Sequence, residues 1–271
     1  MDILEAVILG ILQGATEFLP ISSSGHLVLV PWWLGWDDPP LLFDVVVHLG
    51  TLVAVLAYFW RDWLTLLRAG WTALRTRSMK EPDARLLALL VLGTIPAALV
   101  GMLLEDYFES SLSEPPLVAG LLLVTAALLV LAERWHTGTK PLSEMTVRDA
   151  MTVGLMQALA ILPGISRSGS TIAAGIGRGL SRPSAARFSF LLATPIIVGA
   201  GLKQTLDVLI GDEVVGSDMT LPLVLGFAAA LIVGYGCIWF LMRLLQRRRL
   251  YGFAVYCAVF GTLSLLVALL S

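Results

Sequence analysis

Residues 13–26 read QGATEFLPISSSGH and residues 163–171 read PGISRSGST, and these two polar stretches decide the fold of the chain. Each interrupts an apolar region, residues 3–35 and 150–180 respectively. The resulting half-segments hold roughly 10–16 residues, whereas a helix needs about 20 apolar residues to cross a bilayer. Backbone that turns at membrane depth is tolerated only inside protein or beside a wet cavity. We therefore predict two re-entrant helical hairpins, each with two short helices joined by a Pro/Gly/Ser turn.

The two stretches and their flanks match each other without gaps. The shared positions are Gly10 and Gly154, Gln13 and Gln157, Ile21 and Ile165, Ser22 and Ser166, Ser24 and Ser168, and Gly25 and Gly169. A weaker echo pairs residues 91–93 with residues 224–226, both of which read VLG. Chance explains the weaker echo easily, but it explains the first match poorly because polar turn residues are included. We predict an inverted repeat, about residues 1–133 and 147–271, within a single membrane-embedded domain spanning residues 1–271; sites in such repeats lie between the halves.

Six other segments are long and apolar enough to cross a membrane as helices. They are roughly Phe43–Trp60, Leu86–Leu104, Leu117–Ala132, Phe188–Leu206, Leu221–Met242 and Tyr251–Leu270. Only 14% of the residues are charged, whereas soluble domains carry about 25%. The predicted fold is therefore an all-α integral membrane protein with six transmembrane helices and two re-entrant helical hairpins. The net charge of −2 offers no basic surface for nucleic acid, which we exclude as a partner.

Loop charges predict the orientation in the membrane. Basic residues occupy four connections: Arg61, Arg68, Arg75, Arg77, Lys80 and Arg85; Arg134, Lys140 and Arg148; Arg178, Arg182 and Arg187; and Arg243, Arg247, Arg248 and Arg249. The other connections are acidic: Asp37 and Asp38; Glu105, Asp106, Glu109 and Glu114; and Asp207, Asp212, Glu213 and Asp218. Basic loops stay in the cytoplasm. We therefore predict that both termini lie outside, with the first hairpin inserted from outside and the second from the cytoplasm.

The polar residues of the two stretches form a candidate site for a phosphate group. The second helix of each hairpin would direct its free N–H groups and positive dipole end into the turn. Arg167 adds a planar guanidinium suited to phosphate oxygens. Gln13 and Glu17 lie one helical turn apart, and together they could hold a divalent cation that bridges phosphate oxygens. Ser22 and Ser23 each lie about one turn before His26, which could activate a serine as a nucleophile.

Two alternatives are open at this point. An ion pair between Glu17 and Arg167 could simply pack the two repeats together, although this would not account for a histidine and many hydroxyls at the same turns. A transporter or lipid flippase could share the inverted repeat, because a fold does not determine a function.

The two stretches also resemble the two motifs of the undecaprenyl pyrophosphate phosphatase (bacitracin-resistance) family. The resemblance covers the whole chain in length and in the pattern of spans. The first motif of the family has Glu or Gln followed four residues later by Glu, and this chain has Gln13 and Glu17. Ser24 stands where some members of the family have Thr.

This resemblance implies hydrolysis of the terminal phosphate of a C55 polyprenyl pyrophosphate, which recycles the lipid carrier for peptidoglycan synthesis and confers bacitracin resistance. It implies that Glu17, Ser23, His26 and Arg167 are catalytic. Ser23 or a water molecule would attack phosphorus, and His26 or Glu17 would take the proton. The residues expected to position the pyrophosphate are Gln13, Ser22, Ser24, Ser166, Ser168, Ser170 and Thr171. We expect Mg²⁺ or Ca²⁺ as a cofactor, held by Glu17 and Gln13. The expected location is the bacterial inner membrane. The expected partners are membrane lipids, and a second copy of the chain could form a homodimer with it.

Overall fold

The computed structural model of this protein describes residues 1–135, 138–210 and 219–270, with side chains described throughout except at 105–111 and 207–210. Several acidic residues used above to predict orientation lie outside these described residues or side chains, namely Glu105, Asp106, Glu109, Asp207, Asp212, Glu213 and Asp218. The orientation therefore rests on the basic connections described below.

The described part of the chain is almost entirely helical. Its α-helices are α1 (Ile3–Phe18), α2 (Ser23–Leu34), α3 (Leu41–Tyr58), α4 (Trp60–Thr76), α5 (Pro82–Leu112), α6 (Pro115–Arg134), α7 (Val147–Leu159), α8 (Arg167–Gly177), α9 (Arg182–Ile210), α10 (Thr220–Leu244) and α11 (Tyr251–Leu270). A short 3₁₀ turn at Leu142–Glu144 precedes α7.

The six predicted spans are confirmed. Among the described residues, six helices are long and apolar enough to cross a membrane: Leu41–Tyr58, Pro82–Leu104, Pro115–Arg134, Arg182–Leu206, Thr220–Leu244 and Tyr251–Leu270. They belong to α3, α5, α6, α9, α10 and α11 in that order. The chain is accordingly an all-helical, multi-pass membrane protein.

Helix α4 was not expected, because the arginines that follow the first span indicated a loop. Its buried side places Leu66, Ala69 and Ala73 against α5. Its exposed side carries large apolar residues that include Trp71 and Leu74. The helix is amphipathic, and its arginines make it too polar to span a bilayer. The prediction of a loop was wrong because the arginines of this region belong to an amphipathic helix, and a high content of charged residues does not distinguish such a helix from a loop.

Both polar stretches break a helix, as predicted. Helix α1 ends at Phe18, and Leu19 is extended because the following residue is Pro20. Helix α2 then begins after Ser22, whose hydroxyl accepts a hydrogen bond from the Gly25 N–H. In the second stretch α7 ends at Leu159 and α8 begins at Arg167. Residues 19–22 are called the first turn below, and residues 160–166 the second turn.

Helix α1 runs alongside α10 but covers only part of its length. Gly14 lies against Ala230, and a Cβ atom at Gly14 would come within 2.6 Å of the Ala230 carbonyl oxygen. The ring of Phe18, the last residue of α1, lies against Gly234. Helix α10 continues from there to Leu244, so α1 stops about 15 Å short of its end at a rise of 1.5 Å per residue. Helix α1, with 16 residues, is therefore shorter than the 25-residue span that it packs against.

The contacts of α2 and α8 are consistent with two hairpins whose second helix returns to the side from which the first helix entered. Helix α2 lies beside α11, since His26 stacks on Tyr256 and Phe260 and Trp33 also contacts Phe260. In the second hairpin the two ends meet directly, because Arg178 at the end of α8 donates from Nε to Asp149 at the start of α7 over 2.9 Å. Insertion of each hairpin from one face of a membrane stays a prediction that these contacts support.

Two close glycine contacts are related by the internal repeat. Gly10 of α1 lies against Gly226 of α10, where an added Cβ would come within 2.5 Å of the carbonyl oxygen. Gly154 of α7 lies against Gly93 of α5, where the corresponding distance is 2.2 Å. Gly10 matches Gly154 in the first echo, and Gly226 matches Gly93 in the weaker echo. Each hairpin thus packs on a span from the other half, which supports the proposed inverted repeat.

Gly154→Ala is expected to destabilise the protein, because its methyl group would overlap backbone that cannot move independently of α5. Overpacking of this kind costs about 1–3 kcal/mol. Gly120→Ala is the matched control, because a Cβ atom there meets nothing within 4 Å and alanine favours a helix. The measurement is the apparent melting temperature of each variant in detergent. An unchanged or higher melting temperature for Gly154→Ala would contradict the close packing of α7 on α5.

Ion pairs gather the basic connections at one end of the helix bundle. Three of the pairs join different connections: Asp62 with Arg187, Glu133 with Arg182, and Asp149 with Arg178. Asp149 also pairs with Lys140 of its own connection. Glu133 binds Arg182 in a two-bond arrangement of 2.8 and 2.5 Å and also accepts from the Leu250 N–H. These contacts place the connections predicted to be cytoplasmic on one side of the molecule.

Candidate active site

The two turns meet in the interior of the helix bundle. The Gly164 N–H donates to the Ser24 hydroxyl over 3.4 Å, and the Ser168 hydroxyl donates to the Leu19 carbonyl over 3.0 Å. Thr125 of α6 secures the second turn, since its hydroxyl donates to the Gly164 carbonyl and accepts from the Ser166 N–H. The polar side chains of the two stretches are thereby brought to a single place.

The carboxylate of Glu17 is the centre of this cluster. Its Oε1 accepts from Arg167 Nη2 at 2.6 Å, across the junction between the two stretches. Its Oε2 accepts from the Ser23 hydroxyl at 2.6 Å and from Gln13 Nε2 at 3.1 Å. Glu17 is only 7% exposed, and a buried charge of this kind is tolerated when it is paired and hydrogen-bonded. The structure thus joins Gln13, Glu17, Ser23 and Arg167 in one hydrogen-bonded group.

Several polar atoms around Glu17 are buried with unused hydrogen-bonding capacity. Within the described residues, Gln13 Oε1, Arg167 Nη1 and Ser170 Oγ have no hydrogen-bond partner. Buried polar groups are almost always satisfied in folded proteins, so these atoms are available to contact a substrate or water. Arg167 Nη1 is a cationic donor suited to an anionic oxygen, whereas Gln13 Oε1 is an acceptor suited to a cation or a proton donor.

The remaining hydroxyls differ in what they contact. Ser22 and Ser166 cap α2 and α8, because their hydroxyls accept from the Gly25 and Gly169 N–H groups at 3.3 and 3.0 Å. Ser24 is exposed at the tip of the first hairpin. Ser22 also has a φ of +71°, a backbone state that costs a non-glycine residue about 1–3 kcal/mol and that clusters at functional sites.

Thr171 lies apart from the cluster. Its hydroxyl donates to the Arg167 carbonyl at 2.7 Å and pairs with the Ser189 hydroxyl of α9 at 2.6 Å. These bonds hold the first turn of α8 against α9, so Thr171 orients the helix that carries Arg167. Contact between Thr171 and a phosphate stays a prediction that this geometry does not favour. Ser189 could not have been found from the sequence, because it lies within the span formed by α9.

Two proton acceptors were open for Ser23, namely His26 and Glu17, and the structure places its hydroxyl on Glu17. His26 Nδ1 contacts the main-chain carbonyl of Ser22 at 2.7 Å and makes no bond with its hydroxyl. Ser23 donates to Glu17, so the acidic partner of this serine is a carboxylate. The sequence spacing allowed either arrangement, and the direction of the side chains at the start of α2 selects the carboxylate.

His26 has partners that the sequence analysis missed. Its Nε2 lies 2.7 Å from the Tyr256 hydroxyl, and its ring stacks on Phe260 with centroids 4.8 Å apart. Both residues belong to α11. Nothing local in the sequence marks them, since they are aromatic residues in an apolar span, 230 residues or more from His26 in the chain.

The site combines features that suit reactions of phosphate esters and anhydrides. The N-terminal ends of α2 and α8 both lie at the junction of the turns, and helix N-termini attract anions. A guanidinium supplies positive charge, and a carboxylate accepts a hydrogen bond from a serine hydroxyl. The fold and the site together define a class: an all-helical, multi-pass membrane protein with a buried acid–arginine–serine cluster between two broken helices.

Comparison with known proteins identifies the family. Residues 6–263 match the model of the family described as bacitracin resistance protein BacA, and the chain belongs to that family. A protein of Desulforudis audaxviator named undecaprenyl-diphosphatase is 48% identical over 270 residues, covering 100% of this chain and 99% of the relative. Proteins with the same name from Thermomicrobium roseum and Methanosphaera stadtmanae are 45% and 41% identical and cover at least 98% of both chains.

Proposed function

We infer that this chain is a membrane phosphatase that hydrolyses undecaprenyl diphosphate to undecaprenyl phosphate and inorganic phosphate. Membership of the family and the shared name of relatives that match over the full length support this activity. The structural observation that carries the inference is the bond of Glu17 to both Arg167 and Ser23 at 2.6 Å, within the membrane-embedded bundle. Recycling of the lipid carrier for cell-wall synthesis and bacitracin resistance follow from this reaction.

The mechanism that we propose uses Ser23 as the nucleophile. Glu17 Oε2 accepts the hydroxyl proton as Ser23 Oγ forms a bond to the terminal phosphorus, and the bond from that phosphorus to the bridging oxygen breaks. Undecaprenyl phosphate leaves, and water then cleaves the phosphoserine to release phosphate and restore the hydroxyl. Arg167 and the N-terminal N–H groups of α2 and α8 stabilise the negative charge that develops on the phosphoryl oxygens.

The roles of the other polar residues are proposed from their positions. Ser24 is exposed at the tip, so its hydroxyl lines the approach to phosphorus. Ser168 is buried and links the two turns through the Leu19 carbonyl. Ser170 is buried without a hydrogen-bond partner among the described residues, so its hydroxyl could donate to a phosphate oxygen that reaches it. Ser22 and Ser166 act mainly by fixing the two helix N-termini. His26 lies one turn beyond Ser23 and serves as a proton acceptor or donor during release of the products.

A divalent cation fits the donors at this site. Magnesium is commonly held by one or two carboxylates together with substrate phosphates, and Glu17 with the unpartnered Gln13 Oε1 would supply the protein oxygens. Among the described residues, no three His, Cys, Asp or Glu side chains lie close enough together to hold a metal ion. Oxygens of the pyrophosphate would therefore have to supply further ligands to the cation. When bound, Mg²⁺ or Ca²⁺ would neutralise charge on the phosphate oxygens.

Release of phosphate by the purified protein in detergent micelles tests the proposed function. We expect turnover of undecaprenyl diphosphate without a second compartment and its loss after treatment with a chelator, restored by Mg²⁺ or Ca²⁺. A transporter or flippase would release no phosphate under these conditions, and the comparisons do not favour that alternative. Full activity in the presence of the chelator would contradict the proposed requirement for a divalent cation, but it would not contradict the proposed hydrolysis.

We also propose a location in the bacterial inner membrane with both termini outside. The gathering of basic connections at one end of the bundle supports this orientation. The start of α1 supports it too, because Met1–Leu4 lie beside Leu221 and Pro222 at the end of α10 that is opposite Arg243. Homodimer formation stays a proposal, and the mass of the protein–detergent complex tests it.

A further inference from the structure

Both ring nitrogens of His26 are engaged in hydrogen bonds. Nδ1 lies 2.7 Å from the Ser22 carbonyl oxygen, and Nε2 lies 2.7 Å from the Tyr256 hydroxyl. A carbonyl oxygen can only accept a hydrogen bond, so Nδ1 carries a proton whether the ring is neutral or charged. Nε2 is therefore the nitrogen at which His26 gains or loses a proton.

Tyr256 is the partner of that nitrogen. While the imidazole is neutral the Tyr256 hydroxyl donates to Nε2, and after protonation the same hydroxyl can accept from it. The Ser22 carbonyl selects the tautomer with hydrogen on Nδ1, and the Tyr256 hydroxyl matches this tautomer by donating to Nε2. The two hydrogen bonds thus act in the same sense and fix the ring orientation.

His26 is buried, and the residue that contacts its Nε2 is partly exposed. His26 is only 1% exposed, whereas Tyr256 is 43% exposed. Phe260 covers one face of the imidazole, with centroids 4.8 Å apart and planes inclined by 15°. Gain or loss of a proton at Nε2 therefore changes its hydrogen bond with the Tyr256 hydroxyl.

We propose that Tyr256 is a positioning residue for the phosphatase reaction, acting through its hydrogen bond to His26 Nε2. Its hydroxyl donates to Nε2 and fixes the orientation of the imidazole, so that Nε2 is held in place to gain or lose a proton during the reaction. This proposal rests on the proposed role of His26 in the reaction. Neither motif contains Tyr256, which α11 brings to the site.

The substitution Tyr256→Phe tests this proposal, since it removes the hydroxyl and keeps the ring that lies near His26. We expect kcat to fall about tenfold, which is less than the roughly 10²–10⁴-fold contributed by a group that itself transfers the proton. KM should change less than about twofold because Tyr256 does not bind the phosphate. Tyr235→Phe is the matched control: Tyr235 is 45% exposed, lies on α10 and contacts the ring of Tyr58 rather than the site. The control should keep the activity of the unmodified protein.

Two further measurements separate positioning from a merely structural effect. The double variant His26→Ala/Tyr256→Phe should be no less active than His26→Ala alone, because Tyr256 acts through His26. The chain has three histidines, so ¹⁵N-histidine NMR can follow His26 directly. The spectrum should show the Nδ1–H tautomer in the unmodified protein and a changed Nε2 signal in Tyr256→Phe.

The outcomes distinguish this proposal from the one on which it rests. Normal activity of His26→Ala would remove His26 from the mechanism, and the role of Tyr256 in catalysis would fall with it. A large loss in His26→Ala together with an unchanged kcat and an unchanged His26 spectrum in Tyr256→Phe would overturn the role of Tyr256 alone. Additive losses in the double variant would also overturn it, since they would show that Tyr256 acts independently of His26.

Discussion

Arg167→Ala is expected to lower phosphate release by about a thousandfold or more, the scale found for arginines that stabilise phosphoryl-transfer transition states. Nη2 of Arg167 binds Glu17 Oε1 at 2.6 Å, while Nη1 is buried without a partner in the described part of the chain. The guanidinium can thus hold the carboxylate with one nitrogen and a phosphoryl oxygen with the other. The measurement is kcat for undecaprenyl diphosphate with purified protein.

Arg167→Lys is the variant that makes this result interpretable. Removal of the guanidinium leaves the buried Glu17 unpaired, which alone can cost about 3–5 kcal/mol of stability. Lysine keeps the positive charge but cannot make two parallel contacts, so we expect a folded protein with intermediate or low activity. Melting temperatures and elution profiles should be recorded for both variants. Near-normal turnover of a folded Arg167→Ala protein would exclude Arg167 from the mechanism.

Glu17→Gln is expected to abolish both phosphate release and formation of a phosphoserine. The amide is nearly the same size as the carboxylate, but it cannot take the proton of Ser23, whose hydroxyl lies 2.6 Å from Oε2. Substrate labelled in its terminal phosphate, mixed rapidly with protein and quenched in acid, should label the unmodified chain and leave Glu17→Gln and Ser23→Ala unlabelled.

Glu5→Gln is a suitable control for this substitution. Glu5 lies in the first turn of the same helix and completes a capping box with Asp2, a role that glutamine also fills. The control should retain both labelling and turnover. Absence of label in the unmodified chain together with substantial activity of Ser23→Ala would show that water attacks phosphorus directly, with Glu17 as its base. Normal turnover of Glu17→Gln would refute both versions of the mechanism.

Much of the architecture could be predicted from the sequence because its causes are local. Length and hydropathy alone predicted the six spans, since a bilayer requires about 20 apolar residues per helix. The breaks in the helices were predictable because Pro20, Pro163 and the neighbouring glycines and serines are unfavourable inside a helix. The convergence of Glu17 and Arg167 followed from the match between the two stretches, and the structure places the two side chains in direct contact.

Contacts between distant segments could not be predicted in this way. The sequence placed Ser23 within reach of both His26 and Glu17, and only the packing of the two turns directs its hydroxyl to Glu17. Tyr256 is one aromatic residue in an apolar span, and its bond to His26 depends on how α11 lies beside α2. Helix α4 was missed because its stability comes from packing one face on α5.

The division between the two sources of information has a physical basis. The amino-acid sequence by itself determined which segments enter the lipid, where their helices break and which chemical groups the breaks carry, because these depend on hydrophobicity and on local backbone preferences. Tertiary structure alone decided which hydroxyl contacts the Glu17 carboxylate and which buried atoms have no partner among the described residues. It also decided which aromatic residues contact His26. Those features depend on side-chain directions to within about an ångström, which only the packed helices define.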